Sequence, residues 1–303
     1  MVGTAGSGDN LVDASAQPPH SDQPLPAGAP DGAYPINEQD GHDFQVGGVA
    51  RTLPAKLQLE QLVAYLDATY DRDSEQYLAL LPDRITHAAM LMLGSAVDHA
   101  MPGVAFPSQV TATSHELGTL FTPSAPSGVW GISLYDGPSN AQEHAWRPEV
   151  AGVAELSGVT MLDVDRAAEL AACAAQAVDF ARSQGASAVA VWAFGSSAAC
   201  VPAGADAYVL TFPTAMPTQA ASTAVDGTAV SSAVISSTVP LLVQMANQDE
   251  VATRLDRSAL PGQLPGQVIE YHSTHYIATP EESRRRVRDV ADFLAQIANS
   301  DQG

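Results

Sequence analysis

The chain has 303 residues, 46% of them hydrophobic, enough for one large domain with appendages. Its formal net charge of −21 reflects a shortage of bases: 34 Asp and Glu face 13 Lys and Arg, and Lys56 is the sole lysine. No basic patch is present to hold nucleic acid or anionic lipid, which argues against those partners. No apolar run reaches the roughly 18 residues of a membrane span.

Cys173 and Cys200 sit in apolar surroundings and read as reduced core residues. The first residues lack the basic and apolar regions of a signal peptide, so a cytoplasmic protein is expected. Residues 1–43 are rich in Gly, Pro, Ser, Ala, Asp and Gln without periodicity, and are expected to be a disordered leader. A helical extension is expected over 44–104. Leu57, Leu59, Leu62, Val63 and Leu66 follow helical spacing, and a second helix is expected to begin around Tyr77, Leu78, Leu80 and Leu81. Ala88 to Ala100 continues as an apolar helix that Pro102-Gly103 ends. Packing on the main domain is the favoured role for these helices; a lid and a homodimer surface stay open as alternatives.

The main domain, 105–303, alternates strands and helices. Val110–Leu117 and Gly118–Thr122 read as short strands, followed by a turn at Pro123–Ser127. Gly128–Leu134 is a buried strand, broken by Tyr135-Asp-Gly-Pro138, and a helix is expected over Val150–Leu156. The strand Val159–Val164 then leads into an Ala-rich helix over Ala167–Ser183. Ala188–Phe194 is apolar throughout, the mark of a strand buried on both faces. Ala207–Phe212, Pro240–Met245 and Val268–Tyr271 are the last strands. Thr279-Pro-Glu-Glu282 offers an N-cap, a Pro at N1 and a Glu at N3 to launch a final helix to about Ala298. This alternation predicts an α/β protein, a mostly parallel central sheet with helices on both faces. Right-handed crossovers then bring the strand C-termini to one edge, where ligands collect.

Three of those strand ends carry reactive residue types. Gly195-Ser196-Ser197-Ala198-Ala199 fits the small-x-Ser-x-small pattern of a nucleophile elbow. Asp249 follows the Pro240–Met245 strand, and His275 follows the last one. The order Ser, acid, His is that of α/β-hydrolases rather than of chymotrypsin-like enzymes. In such a triad the imidazole takes the serine proton and the carboxylate orients the imidazole. Plainer readings stand beside it: Asp249 caps a helix near Val251, Ser197 is a loop serine, and His272 and His275 are ordinary surface residues, His272 otherwise an accessory one.

The chain resembles the α/β-hydrolase fold superfamily, specifically actinobacterial members of its esterase/lipase-like group. Glu116-Leu-Gly-Thr-Leu-Phe-Thr-Pro123, Leu162-Asp-Val-Asp165, Val243-Gln-Met-Ala-Asn-Gln-Asp-Glu-Val251 and His275-Tyr-Ile-Ala-Thr-Pro-Glu281 carry the likeness, which spans about Val110 to Ala298. The resemblance implies a carboxylesterase-like serine hydrolase acting on small ester or acyl substrates, with no metal or organic cofactor. Ser197 would be nucleophile, His275 base, Asp249 orienting acid and the Ala198 amide oxyanion donor. The elbow departs from the family pattern. Aligned on the Trp192 strand, that pattern puts residue 195, a glycine, at the nucleophile position, and Ser196 is an intermediate alternative to Ser197. Pro202 and Gly204 limit the following helix to about one turn. Tyr135-Asp-Gly-Pro138 sets a carboxylate where the family keeps oxyanion donors. A catalytically inactive homologue acting as a binding or assembly module is therefore the alternative.

Overall fold

The computed structural model describes residues 54–93, 109–165, 169–214, 239–252 and 266–300. The predicted leader, the helix end over 94–100 with its Pro102-Gly103 stop, and the Ala167 helix start lie outside the described residues.

Eight strands form one sheet: β1 (Val110–His115), β2 (Gly118–Pro123), β3 (Trp130–Leu134), β4 (Thr160–Val164), β5 (Val189–Phe194), β6 (Ala207–Thr211), β7 (Leu241–Ala246) and β8 (Gly266–Tyr271). Their order is β1-β2-β4-β3-β5-β6-β7-β8, antiparallel at β1–β2 and β2–β4 and parallel elsewhere. Every residue of β4, β5, β6 and β7 is buried, which explains why β5 is apolar throughout and the other three are mostly so.

Helices cover both faces. Of these, α3 (Arg147–Ser157) packs with α5 (Pro280–Ser300) on one face, and α4 (Leu170–Ser183) covers the other. The alternation of β5 shows the division: Ala190, Trp192 and Phe194 join the α3/α5 core, while Val189, Val191 and Ala193 join the α4 core. Thr279 Oγ1 caps α5 by accepting the Glu282 N–H at 3.3 Å, as expected, with Pro280 at N1. The Glu282 carboxylate turns elsewhere, accepting the His272 N–H at 3.1 Å and so tying α5 to the loop after β8.

A third core joins α1 (Ala55–Thr69) and α2 (Leu81–Leu93), with Leu59, Leu62 and Leu66 meeting Leu81, Ile85 and Ala88. Ile277, from the loop between β8 and α5, completes it, so the pair packs on the sheet domain. The second helix starts at Leu81 rather than Tyr77. Pro82 then falls in the first turn, where its missing N–H has no intrahelical partner to lose.

Two buried polar chains cross the sheet. In the first, Trp146 Nε1 donates to Ser133 Oγ (2.8 Å) and Ser133 to Asp163 (2.8 Å), while Gln142 and Arg147 also donate to Asp163. Burial pushes the Asp163 carboxyl up to about 6, although the bonds from Ser133, Gln142 and Arg147 oppose the shift. In the second, Trp192 donates to Thr211 (2.9 Å), Thr211 to Gln244 (2.6 Å), and Gln244 to Tyr271 (2.9 Å), joining four successive strands. No helix among the described residues is long and apolar enough to cross a membrane.

Candidate functional site at the strand ends

The strand β5 ends at Phe194, and the chain turns sharply at Gly195, whose φ is +62°. A left-handed backbone at this point suits glycine. A 3₁₀ segment, Gly195–Cys200, follows and stops before Pro202. On the adjacent parallel strand Leu134 pairs with Ala193, so two residues on Asp136 stands level with Gly195. Its carboxylate fills the space that a side chain at 195 would need: an added Cβ would lie 2.3 Å from Asp136 Oδ2. The same oxygen accepts the Ser196 N–H at 2.5 Å, while Asp136 Oδ1 is buried without a hydrogen-bond partner.

Neither serine hydroxyl reaches the histidine. Ser197 is 1% exposed, and its Oγ accepts the Phe194 N–H at 3.0 Å. Its single proton faces two carbonyls, Phe194 O at 2.7 Å and Leu134 O at 2.9 Å. The hydroxyl is thus committed to the backbone of β3 and β5. Ser196 is exposed, and Ala198 packs into the α4-side core.

The other two candidates do meet. His275 Nδ1 lies 3.1 and 3.0 Å from Asp249 Oδ1 and Oδ2. Asp249 Oδ1 also accepts the N–H groups of Val251 (2.9 Å) and Ala252 (2.7 Å), whereas the helix it was expected to cap has no helical turn in 250–252 and otherwise lies outside the described residues. Burial alone would raise the Asp249 carboxyl; the bonds from His275, Ala252 and Val251 outweigh it and hold it below the usual range. With the Nδ1 proton assigned to the carboxylate, Nε2 carries the ring's lone pair. That atom is buried and has no hydrogen-bond partner. Aromatic rings surround the imidazole: Tyr276 at 4.6 Å, Phe194 at 5.0 Å and Phe212 at 6.0 Å between centroids. His272 contacts Asn247 instead (2.8 Å).

His275 lines a pocket walled by Tyr135, Trp146, Phe194 and Phe212, with Leu81 and Ile85 of α2 contributing to its apolar lining. Two further charged residues line it that sequence reasoning passed over. Arg286 Nη2 donates to Glu149 Oε1 at 2.5 Å, and both side chains are about nine-tenths buried. The signal for Arg286 was its helical phase, four residues before buried Val290. Phe212 carries a second signature that sequence does not show, a φ of +48° in a residue with a full side chain. Such backbone strain costs on the order of 1–3 kcal/mol and clusters at functional sites. Among the described residues no group of three or more His, Cys, Asp or Glu is arranged to hold a metal ion.

A turn after the fifth strand, an acid after the seventh and a histidine after the eighth, on this sheet order, define the α/β-hydrolase fold. An esterase/lipase from an uncultured bacterium matches with a TM-score of 0.52 at 11% identity, covering 82% of this chain and 100% of its own. A hormone-sensitive lipase from a metagenome library (11% identity, 82% and 98% covered, TM-score 0.49) and an arylesterase (14%, 82% and 99%, 0.49) also match. No protein-family model matches the sequence, and no curated protein does.

Proposed function

We propose that the chain is an α/β-hydrolase-fold protein with a degenerate nucleophile elbow, which binds a small molecule in the His275 pocket without forming an acyl-serine. The observation carrying this reading is the pairing of Gly195 with Asp136. In acyl transfer the elbow residue supplies the nucleophile, and the next amide stabilises the oxyanion. Here the elbow residue has no side chain, and the next amide already faces a carboxylate. Loss of one oxyanion donor alone costs about 10²–10³ in kcat. Free half-buried thiols at Cys173 and Cys200 support the cytoplasm as its location.

A second reading has one observation in its favour. The Asp249–His275 pair keeps the arrangement of a general base, with Nε2 unpartnered. On that reading the protein is a carboxylesterase-like serine hydrolase for small esters or acyl compounds, and exposed Ser196 is better placed to serve than Ser197. Labelling with a fluorophosphonate separates the two, with Ser196→Ala and Ser197→Ala as controls. The binding reading expects folded wild-type protein to stay unlabelled. Labelling that one of these substitutions abolishes would establish the hydrolase reading.

A further inference from the structure

The polar atoms left unpartnered around the pocket form a pattern. Buried polar groups are nearly always satisfied, so each exception calls for an explanation. Three side chains that line the pocket hold four such atoms: His275 Nε2 and Glu149 Oε2 as acceptors, Arg286 Nε and Nη1 as donors. His275 and Arg286 are 1% and 8% exposed. Both lie against Phe212, with Arg286 Cζ 5.4 Å and the His275 ring 6.0 Å from its centroid. Thr274 and Ser283 apart, the remaining walls are aromatic and aliphatic.

The missing partner must therefore accept from Arg286 and donate to His275, and must carry an apolar body. An ammonium only donates; an ester only accepts. A hydroxyl does both but carries no charge, whereas a carboxyl group does both and matches the guanidinium in charge. We infer that the pocket takes a small monocarboxylic acid with an aromatic or aliphatic body, its carboxyl group engaging His275 Nε2 and Arg286. This inference rests on the binding reading above and names the ligand class for that site.

Protons balance simply. The acid, ionised in solution, takes up one proton from solvent as it binds; that proton lies in the hydrogen bond its carboxyl oxygen donates to His275 Nε2, while Asp249 holds the ring through Nδ1 and the other carboxyl oxygen accepts from Arg286. The other titratable groups around the ring are Glu250, which accepts the His275 N–H (2.9 Å), Tyr135 and Asp136 after β3, Glu149 on α3, and Tyr276 and Arg286. Burial raises the Glu149 carboxyl, and Arg286 opposes that rise, so this acid is already spent on the guanidinium.

The test is calorimetry on the full chain at pH 8 in two buffers of different ionisation enthalpy. The probes are 4-phenylbutyrate, its methyl ester, 4-phenylbutan-1-ol and 4-phenylbutylamine. Phenylbutyrate is expected to bind at least tenfold tighter than the other three, with net proton uptake. His275→Gln is expected to remove that uptake. Arg286→Met is expected to weaken binding at least tenfold. Because that change strands Glu149, the double variant Glu149→Leu/Arg286→Met, which removes both charges, is measured beside it. Equal binding of the ester, alcohol or amine overturns the inference. So does unchanged affinity in a folded double variant, uptake that survives His275→Gln, or no binding of phenylbutyrate. Fluorophosphonate labelling would instead strike the binding reading itself, whatever the calorimetry shows.

Discussion

Placing a serine back at the elbow tests the Gly195–Asp136 pairing quantitatively. Gly195→Ser forces a side chain onto a backbone at φ +62°, which costs about 1–2 kcal/mol for an L-residue. Its Cβ would also lie 2.3 Å from Asp136 Oδ2. The carboxylate must therefore move and surrender the Ser196 N–H, a bond to a charged group contributing about 1.5–3 kcal/mol. The single variant should lose roughly 2.5–5 kcal/mol by urea unfolding at pH 7. Asp136→Gly alone forfeits only the hydrogen bond. With the carboxylate already gone, adding Gly195→Ser should cost only the backbone term, about 1–2 kcal/mol. The double-mutant cycle should thus show coupling of roughly 1.5–3 kcal/mol between the sites. Additive effects would rule the pairing out, since they would mean the two positions do not compete for one volume.

Two buried carboxyls and one packing residue should respond in ways that unfolding experiments can read. Asp163 keeps its proton up to about pH 6 when folded but releases it near 4 when unfolded, so the native state binds more protons between those values. Stability should fall by about 3 kcal/mol as pH rises through that window, and urea titrations of Asp163→Asn should lack this slope. Asp249 has the opposite sign: its carboxyl is held low, so its stabilisation is complete above the ordinary carboxylate range and is lost as pH falls through the folded value. His275→Gln should flatten that acid limb in pH-dependent unfolding. Ile277→Ala opens the core shared with α1 and α2; it should cost about 2–4 kcal/mol and speed limited proteolysis near these helices.

The sheet was legible because its central strands are buried on both faces, which leaves whole runs such as Val189–Phe194 apolar. The acid–histidine pair was legible for a similar reason, since each residue follows a strand whose end the sequence marks. The elbow was less so. Small residues on both sides of Ser197 satisfy the pattern in any register, and only the end of β5 at Phe194 puts Gly195 at the turn. Asp136 was visible as a carboxylate out of place, but its contact with Ser196 depends on the β3–β5 register, which is tertiary. The bonds from Ser197 to Leu134 and Phe194 are hidden likewise. Arg286 stands third in a run of arginines, and only its helical phase separates it from its neighbours.

At the elbow, the Asp136 carboxylate occupies the space that a nucleophile's side chain at position 195 would fill. Intact-mass analysis after fluorophosphonate treatment tests this most directly, run on wild type and on Asp136→Gly/Gly195→Ser. Wild type should stay unlabelled, and the double variant should gain one phosphonyl adduct at position 195. An adduct on wild-type Ser196 or Ser197 would contradict that reading of the elbow.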